Sequence, residues 1–278
     1  MRSIAAGLLL LAALALGLAV WAVLIEPGRV VVREIRLAIP RWPAAIGPLR
    51  IAAISDVHTG APHITVEKLR EVVARTNAAH PDLVVLLGDY VIHGVVGGRF
   101  VPPEPTVAVL RELRAPLGVL AVLGNHDWWY DGVRVGRAFA DAGIPVLEDE
   151  AVAVSTPGGP LWVAGLGDAW TRPASLPRAL ATVPAAAPVI VLTHNPDVFV
   201  NVPDRVLLTL AGHTHGGQVN LPFFGRLIVP SAYGQRFAIG HVREGGRDLF
   251  VTPGIGTSIV PVRFRVPPEV SLLTVTRR

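Results

Sequence analysis

Residues 49–58 read LRIAAISDVH, an apolar strand-like run that ends in an aspartate and a histidine. The same transition recurs at four later places: LVVLLGD at 83–89, VLAVLGNHD at 119–127, VIVLTH at 189–194 and VLLTLAGHTH at 206–215. The carboxyl ends of neighbouring strands in an α/β sheet meet at one edge, where loops carry ligands and catalytic groups. The sequence therefore predicts one polar site built from five strand ends.

These strand ends offer only nitrogen and oxygen ligands. Strand side chains alternate, so Asp56 and His58 are expected to project on one side, as are His213 and His215. The chain has no cysteine, which excludes disulfides and thiolate ligands. Imidazole and carboxylate groups suit Mn, Fe or Zn. A pair of ions requires a bridging carboxylate. Asp89 is the candidate for this role, because it is the one ligand-type side chain at the end of its apolar run.

The segments between the runs indicate an α/β fold. Residues 66–79 have helical spacing, and shorter helices are predicted at 106–113 and 133–142. Alternating strands and helices joined by short loops are typical of layered α/β domains. Later strands, at 151–155, 161–166, 249–252 and 271–276, follow one another without long helices, which predicts that the second half of the sheet is mixed.

The polar motifs at the five strand ends resemble those of the calcineurin-like metallophosphoesterases, motif by motif and in the same order along the chain. The resemblance implies an α/β (α+β) fold, a four-layer α-β-β-α sandwich of two mixed sheets, and two divalent metal ions, with Mn first and Fe or Zn as alternatives. It implies one ion held by Asp56, His58, Asp89 and His215, and the other held by Asp89, Asn125, His194 and His213. It also implies two catalytic residues: His126 meets the phosphate and the leaving group, and Asp127 orients the His126 ring.

The later part of the chain resembles one branch of that family, the bacterial membrane-associated phosphoesterases of the cell envelope. The resemblance lies in residues 212–221, 224–227, 230–234 and 254–258. It implies hydrolysis of a phosphodiester or pyrophosphate by a metal-bridging hydroxide, on a lipid-linked or envelope substrate such as UDP-2,3-diacylglucosamine. A phosphomonoesterase or phosphoprotein phosphatase, or a non-catalytic metal-binding scaffold, remains an alternative.

The N-terminal segment predicts a membrane anchor. Residues 4–25 carry no charged side chain and would span about 33 Å as a helix. This run exceeds the apolar core of ~7–15 residues in a cleaved signal peptide, the competing interpretation. We therefore predict a transmembrane or signal-anchor segment at 1–27, a strand and connector at 28–48, and a phosphoesterase domain at 49–278.

These features predict a single-pass protein of the cell inner membrane. Arginines that follow the helix favour a cytoplasmic domain, whereas the N-terminal position of the signal favours export, so both orientations stay open. The oligomeric state also stays open. Only 17% of the residues are charged, with a net charge of +4 and no basic block, so no nucleic-acid partner is expected.

Residues near the motifs have competing interpretations. Trp128, Trp129 and Tyr130 form either an aromatic wall for a substrate or packing beneath the site. Residues 223–224, two phenylalanines, form either a membrane-dipping turn or, as we expect, a buried hairpin tip. His63 and His93 are weaker candidates for a substrate loop.

Overall fold

A computed structural model of the protein describes residues 2–278. Its helices are α1 (Arg2–Val20), α2 (Val66–Ala78), α3 (Pro103–Leu110), α4 (Asn125–Asp141) and α5 (Leu176–Ala179). Its strands are β1 (Val31–Ile39), β2 (Leu49–Ile54), β3 (Leu83–Leu87), β4 (Val119–Val122), β5 (Glu150–Thr156), β6 (Gly159–Gly165), β7 (Val189–Leu192), β8 (Leu208–Ala211), β9 (Gly240–Glu244), β10 (Arg247–Val251) and β11 (Glu269–Arg277).

The described strands form two mixed sheets, in the orders β1-β11-β2-β3-β4 and β5-β6-β7-β8-β10-β9. In the first sheet β2, β3 and β4 run parallel, and β11 runs antiparallel to β2. In the second, β6, β7, β8 and β10 run parallel between the antiparallel edge strands β5 and β9. The predicted α/β architecture with two mixed sheets is confirmed.

Side-chain alternation along the strands separates three apolar cores. On β2, Ile51 faces the core between the sheets, whereas Ala52 faces the core under α2, α3 and α4. On β7, Ile190 faces the inner core and Val191 faces the outer side of the second sheet. That outer side is covered by the four-residue α5 and by short 3-10 helices of up to six residues, so the fourth layer is thin.

The helix boundaries differ from the predictions at the site. α2 matches its predicted start, because the Thr65 hydroxyl caps it by accepting the Lys68 N–H at 3.2 Å. α4 begins at Asn125 and has a break at Asp131 (φ −170°, ψ 85°), so the helix predicted at 133–142 corresponds to its second segment, and an unpredicted first segment precedes the break. Its first turns carry polar and aromatic residues that show no clear apolar period, so periodicity alone missed them. The early start places Asn125 and His126 at a helix N-terminus directly after β4.

The N-terminal helix stands outside the sandwich. Together with a π-helical turn (Trp21–Ile25) and a 3-10 turn (Glu26–Gly28), it forms one helical span, Ser3–Gly28, long and apolar enough to cross a membrane. Most of its side chains are exposed. Its end is fixed to the domain, because the Glu26 carboxylate accepts the Trp21 indole N–H at 2.6 Å and the Val266 backbone N–H at 2.7 Å.

The segment predicted as a strand and connector belongs to the first sheet. β1 pairs along its whole length with β11, in parallel, from Val31 opposite Glu269 to Ile39 opposite Arg277. The domain boundaries at 27 and 48 stay predictions. The expected buried hairpin tip at residues 223–224 is wrong, because the side chain of Phe223 is fully exposed and that of Phe224 is 71% exposed. A tight turn, closed by Leu221 and Gly225, holds both rings in solvent.

Candidate metal centre

The structure brings all seven predicted ligands together. Asp56 and His58 follow β2, Asp89 follows β3, and Asn125 opens α4. From the second sheet, His194 follows β7, and His213 and His215 follow β8. All seven side chains are buried. Loops from both sheets meet here, since the His213 backbone N–H donates to both oxygens of the Asp56 carboxylate at 3.1 and 3.0 Å.

Left-handed backbone places most of these ligands. The φ angles are 52° at Asp56, 44° at His58, 61° at Asp89, 71° at His213 and 51° at His215. Left-handed conformations are uncommon outside glycine, although Asn, Asp and His adopt them more often than other residues. Strand alternation is therefore not what aligns Asp56 with His58. Sharp turns immediately beyond the strands direct these side chains toward one point.

The first group of ligands comprises Asp56, His58 and His215. The His58 Nε2 lies 3.3 Å from the His215 Nε2 and 3.6 Å from the Asp89 Oδ2, and the His215 Nε2 lies 3.4 Å from the Asp56 Oδ1. The His58 Nδ1 donates to the Val91 carbonyl at 3.2 Å, which leaves Nε2 with a lone pair in the neutral ring. Burial lowers the pKa of His58 to about 3, so its ring is neutral.

The second group forms around His194. Its Nδ1 donates to the Leu87 carbonyl at 2.7 Å. Its Nε2 lies 3.2 Å from the Asp89 Oδ2, 3.2 Å from the Asn125 Oδ1 and 3.1 Å from the His213 Nδ1. Burial opposes protonation of His194, but the nearby Asp89 carboxylate outweighs it and raises the pKa of His194 to about 10. The surroundings of the His194 Nε2 therefore favour a positive charge.

Both groups fit a divalent cation. In each one, nitrogen and oxygen atoms of the side chains converge to within 3.1–3.6 Å of one another, so a cation between them would be bound by several atoms at once. The donor set contains only nitrogen and oxygen, which suits borderline and hard divalent metals. Asp89 is common to both groups, because its Oδ2 faces the His58 and His194 rings together. These residues can therefore hold two neighbouring ions.

His126 lies beside both groups without belonging to the seven. Its backbone N–H donates to the Asp89 Oδ1 at 2.8 Å, and its Nε2 lies 3.9 Å from the Asp89 Oδ2. Within residues 2–278, its buried Nδ1 finds no hydrogen-bond partner. The ring is positioned by packing, with centroids 4.6 Å from His58 and 4.9 Å from Trp129. Burial lowers the pKa of His126.

The predicted orienting contact from Asp127 to the His126 ring is wrong. The Asp127 carboxylate accepts four backbone N–H groups: those of Asp89 at 2.8 Å, Tyr90 at 2.9 Å, Val91 at 3.1 Å and Gly124 at 2.9 Å. At the first turn of α4 its side chain points back to the β3 loop. Asp127 therefore ties the loop that carries Asp89 to the loop that carries Asn125.

Two neighbouring tryptophans, with ring centroids 6.0 Å apart, lie at the opening of the site. The half-exposed Trp129 packs on the His126 ring, and the half-exposed Trp170 packs edge-on against the His213 ring, with centroids 4.6 Å apart. Trp128 instead contributes to the core under α4. Within the Trp128–Tyr130 stretch, Trp128 therefore packs beneath the site, whereas Trp129 is placed to form an aromatic wall at the opening. Trp170 was missed, because no motif surrounds it. The exposed His93 lies 5.9 Å from His126, ring to ring.

Close backbone contacts support the ligands from behind. A Cβ on Gly124 would lie 2.2 Å from the Asp89 Oδ1, and a Cβ on Gly254 would lie 2.7 Å from the Asp56 Cβ. The fully buried Arg263 donates to the carbonyls of Gly254 and Gly256, which fixes that loop against Asp56. Residues 254–258 form one of the family-like motifs of the sequence, whereas Arg263 lies outside every motif.

Comparisons with known proteins agree with this arrangement. A family model described as calcineurin-like phosphoesterase matches residues 49–217, a range that contains all seven candidate ligands. The uncharacterized metallophosphoesterase YkuE of Bacillus subtilis is 30% identical over 253 residues, covering 90% of this chain and 87% of its own length. The phosphodiesterase YaeI of Escherichia coli is 32% identical over 252 residues, covering 89% of each chain. The UDP-2,3-diacylglucosamine pyrophosphatase LpxG of Chlamydia trachomatis is 27% identical, covering 91% of this chain and 92% of its own.

Proposed function

The chain belongs to the calcineurin-like phosphoesterase family and is a metal-dependent phosphoester hydrolase, and we propose that it is anchored in a membrane and cleaves a phosphodiester or pyrophosphate bond in a lipid-linked substrate. The family uses pairs of divalent metal ions, and the chain has buried groups that could hold them. Mn²⁺ is the proposed metal, with iron or zinc as alternatives.

We assign one ion to Asp56, His58, Asp89 and His215, and the other to Asp89, Asn125, His194 and His213. The observation that carries this assignment is the position of Asp89, whose Oδ2 lies 3.6 Å from the His58 Nε2 and 3.2 Å from the His194 Nε2. A carboxylate shared between two clusters of nitrogen and oxygen ligands is the arrangement that a two-metal site requires.

The residues around the candidate ligands contact the substrate and shield the site from water. When bound, the two ions supply Lewis-acid charge to the phosphoryl oxygens. His126, at the N-terminus of α4, donates an imidazole N–H to a phosphate or leaving-group oxygen. Trp129 and Trp170, whose ring centroids lie 6.0 Å apart, form one aromatic face at the opening that limits the access of water.

The lipid-linked substrate is supported by two independent features. The exposed helical span Ser3–Gly28 has the length and composition of a membrane anchor. Two relatives carry names that describe diester or pyrophosphate cleavage, and the substrate named for LpxG is an acylated sugar nucleotide. UDP-2,3-diacylglucosamine is therefore the first lipid to test.

Metal removal and readdition test the function. We expect full-length protein in detergent to lose hydrolysis of bis-p-nitrophenyl phosphate after chelation, and to recover it as Mn²⁺ reaches two ions per chain. The diester should be cleaved faster than p-nitrophenyl phosphate. A preference for the monoester would instead identify a phosphomonoesterase, and two bound ions without turnover of any phosphoester would identify a scaffold. Mass spectrometry of envelope lipids before and after incubation would then identify the substrate.

We expect His126→Ala to lower kcat by roughly 10²–10⁴-fold, the range for loss of a positioned proton donor. Both metal ions should remain bound, because the ring is not among the seven ligands. His93→Ala, which removes an exposed histidine at the same opening, provides the matched control and should cost much less. Kinetics with metal analysis of each variant make the comparison. Loss of metal from the His126 variant would show that its ring is a ligand.

A further inference from the structure

Exposed apolar side chains form one surface near the metal centre. We call it the apolar rim, and it comprises Val96, Phe223, Phe224, Leu227, Ile228, Ile259 and Val260. Each of these side chains is at least 46% exposed. Single exposed apolar residues are common on soluble domains, but a cluster of this size marks an interaction site.

Hydrogen bonds join the three loops of the rim into one surface. The Val96 backbone N–H donates to the Ile259 carbonyl at 2.9 Å. The Gln218 side chain donates to the Val260 carbonyl at 3.1 Å and accepts the Ser258 N–H at 2.6 Å. Loops that lie far apart in sequence, at 92–100, 218–228 and 256–265, are thus held side by side.

The rim adjoins the end of the helical span. The Arg263 backbone N–H, in the same loop as Ile259, donates to the Ala22 carbonyl at 2.9 Å. Val266, at the end of that loop, donates its backbone N–H to the buried Glu26 carboxylate. The exposed apolar surface of the helix therefore continues into the exposed apolar surface of the domain.

Strand register places the same region at the catalytic end of the sheet. Val31 opens β1 opposite Glu269, and Ser271 of β11 lies opposite Ala53 of β2. β1 therefore begins level with the carboxyl end of β2, immediately before Asp56. The helix consequently leaves the domain at the edge that carries the metal ligands, and not at the opposite edge.

The charges of the rim loops have one sign. Residues 91–101, 218–240 and 253–268 contain no aspartate or glutamate, whereas they contain the exposed Arg99 and Arg265. Arg226, in the hairpin of Phe223 and Phe224, donates to the Gly216 carbonyl next to His215 at 2.8 Å. Apolar side chains mixed with arginine are typical of surfaces that lie at the boundary between headgroups and acyl chains.

We propose that the apolar rim is a second membrane contact, inserted about 5–10 Å into the leaflet from which the helical span emerges. This inference rests on the proposed function in one respect, namely that the span is embedded in a bilayer. The contact holds the opening of the metal centre next to the lipid surface, because His93 at that opening lies in the same loop as Val96. A phosphoester linked to a lipid then reaches His126 without leaving the bilayer.

Site-specific fluorescence tests the contact, and the chain is suited to it because it contains no cysteine. Phe224→Cys in the full-length protein would carry one environment-sensitive nitrobenzoxadiazole label, in vesicles of phosphatidylethanolamine and phosphatidylglycerol. We expect emission at shorter wavelength and strong quenching by lipids with a nitroxide near the headgroup. The matched control is Ala185→Cys, an exposed site in the turn before β7, at the opposite end of the sheet.

The outcomes separate the competing partners. Equal emission and equal quenching at the two labelled sites would overturn the proposal. A shorter-wavelength emission that depends on protein concentration, without quenching by nitroxide lipids, would assign the rim to a protein partner or a second copy, and would also overturn it. Turnover of bis-p-nitrophenyl phosphate, measured on the same samples, tests the proposed function separately, because that soluble diester needs no membrane contact.

A double variant, Phe223→Ser with Phe224→Ser, provides an activity readout. We expect unchanged turnover of the soluble diester and a loss of turnover on vesicle-embedded UDP-2,3-diacylglucosamine, with detergent micelles reducing the difference. Equal activity of the variant and the wild type on vesicles, together with unquenched label at residue 224, would contradict a membrane role for these rings.

Discussion

Replacing Asp89 with asparagine should remove metal-dependent hydrolysis of bis-p-nitrophenyl phosphate, with a fall in kcat of about 10³-fold or more. Asparagine keeps the shape of the side chain and the acceptor for the His126 backbone N–H, which Asp89 Oδ1 accepts at 2.8 Å. It removes the negative charge that both ligand groups share. The expected loss is therefore one of metal affinity and of rate, with the fold intact.

Asp141→Asn is the matched control for this change, because Asp141 is an exposed aspartate at the end of α4. Its kinetics and metal content should equal those of the wild type. Metal analysis and circular dichroism of both variants separate loss of ions from loss of structure. An Asp89→Asn enzyme with two bound ions and normal turnover would exclude Asp89 as the shared ligand.

Asp127→Asn should lower the free energy of unfolding by roughly 2–6 kcal/mol. The wild-type carboxylate accepts four backbone N–H groups, and both of its oxygens are used. An amide has one acceptor oxygen, so two buried N–H groups would face an NH₂ group and lose their partner. For a domain of this size the midpoint of thermal unfolding should fall by roughly 5–20 °C.

Asp131→Asn, in the same helix, is the control for this loss. Asp131 is exposed and accepts one N–H group, that of Arg134 at 3.0 Å, so its replacement should change stability little. Melting curves of the metal-loaded proteins make the comparison. If Asp127→Asn instead left the melting midpoint unchanged and lowered kcat, the aspartate would act through the His126 ring, as the family resemblance implied.

The ligand positions were predictable because each follows an apolar run in the sequence. An apolar run such as residues 83–87 indicates a buried strand without information from the rest of the chain, and the polar residue after it marks the edge of the sheet. The runs also predicted that the later strands are mixed in direction, whereas the division into two sheets was implied only by the family resemblance. The pairing of β1 with β11 was not predictable, since a strand's register depends on a partner more than 230 residues away.

The roles of several site residues depend on contacts that sequence spacing does not reveal. The partners of Asp127 lie in the β3 loop, 36–38 residues earlier in the chain. Trp170 reaches His213 from a loop between β6 and α5, and its own neighbours carry no motif. The exposure of Phe223 was also hidden, because an apolar pair between Pro222 and Gly225 reads equally as a buried or an exposed turn.

The left-handed turns restrict which amino acids can replace the ligands. A substitute at Asp56, Asp89 or His215 must both bind a cation and tolerate a positive φ, which excludes β-branched residues and disfavours most others. Asparagine meets the conformational requirement best, but it brings no charge. In a library that randomises these positions, active variants should therefore be rarer than ligand chemistry alone allows. Attempts to redesign the metal preference should begin at Asn125 and His194, whose backbone is not in the left-handed conformation.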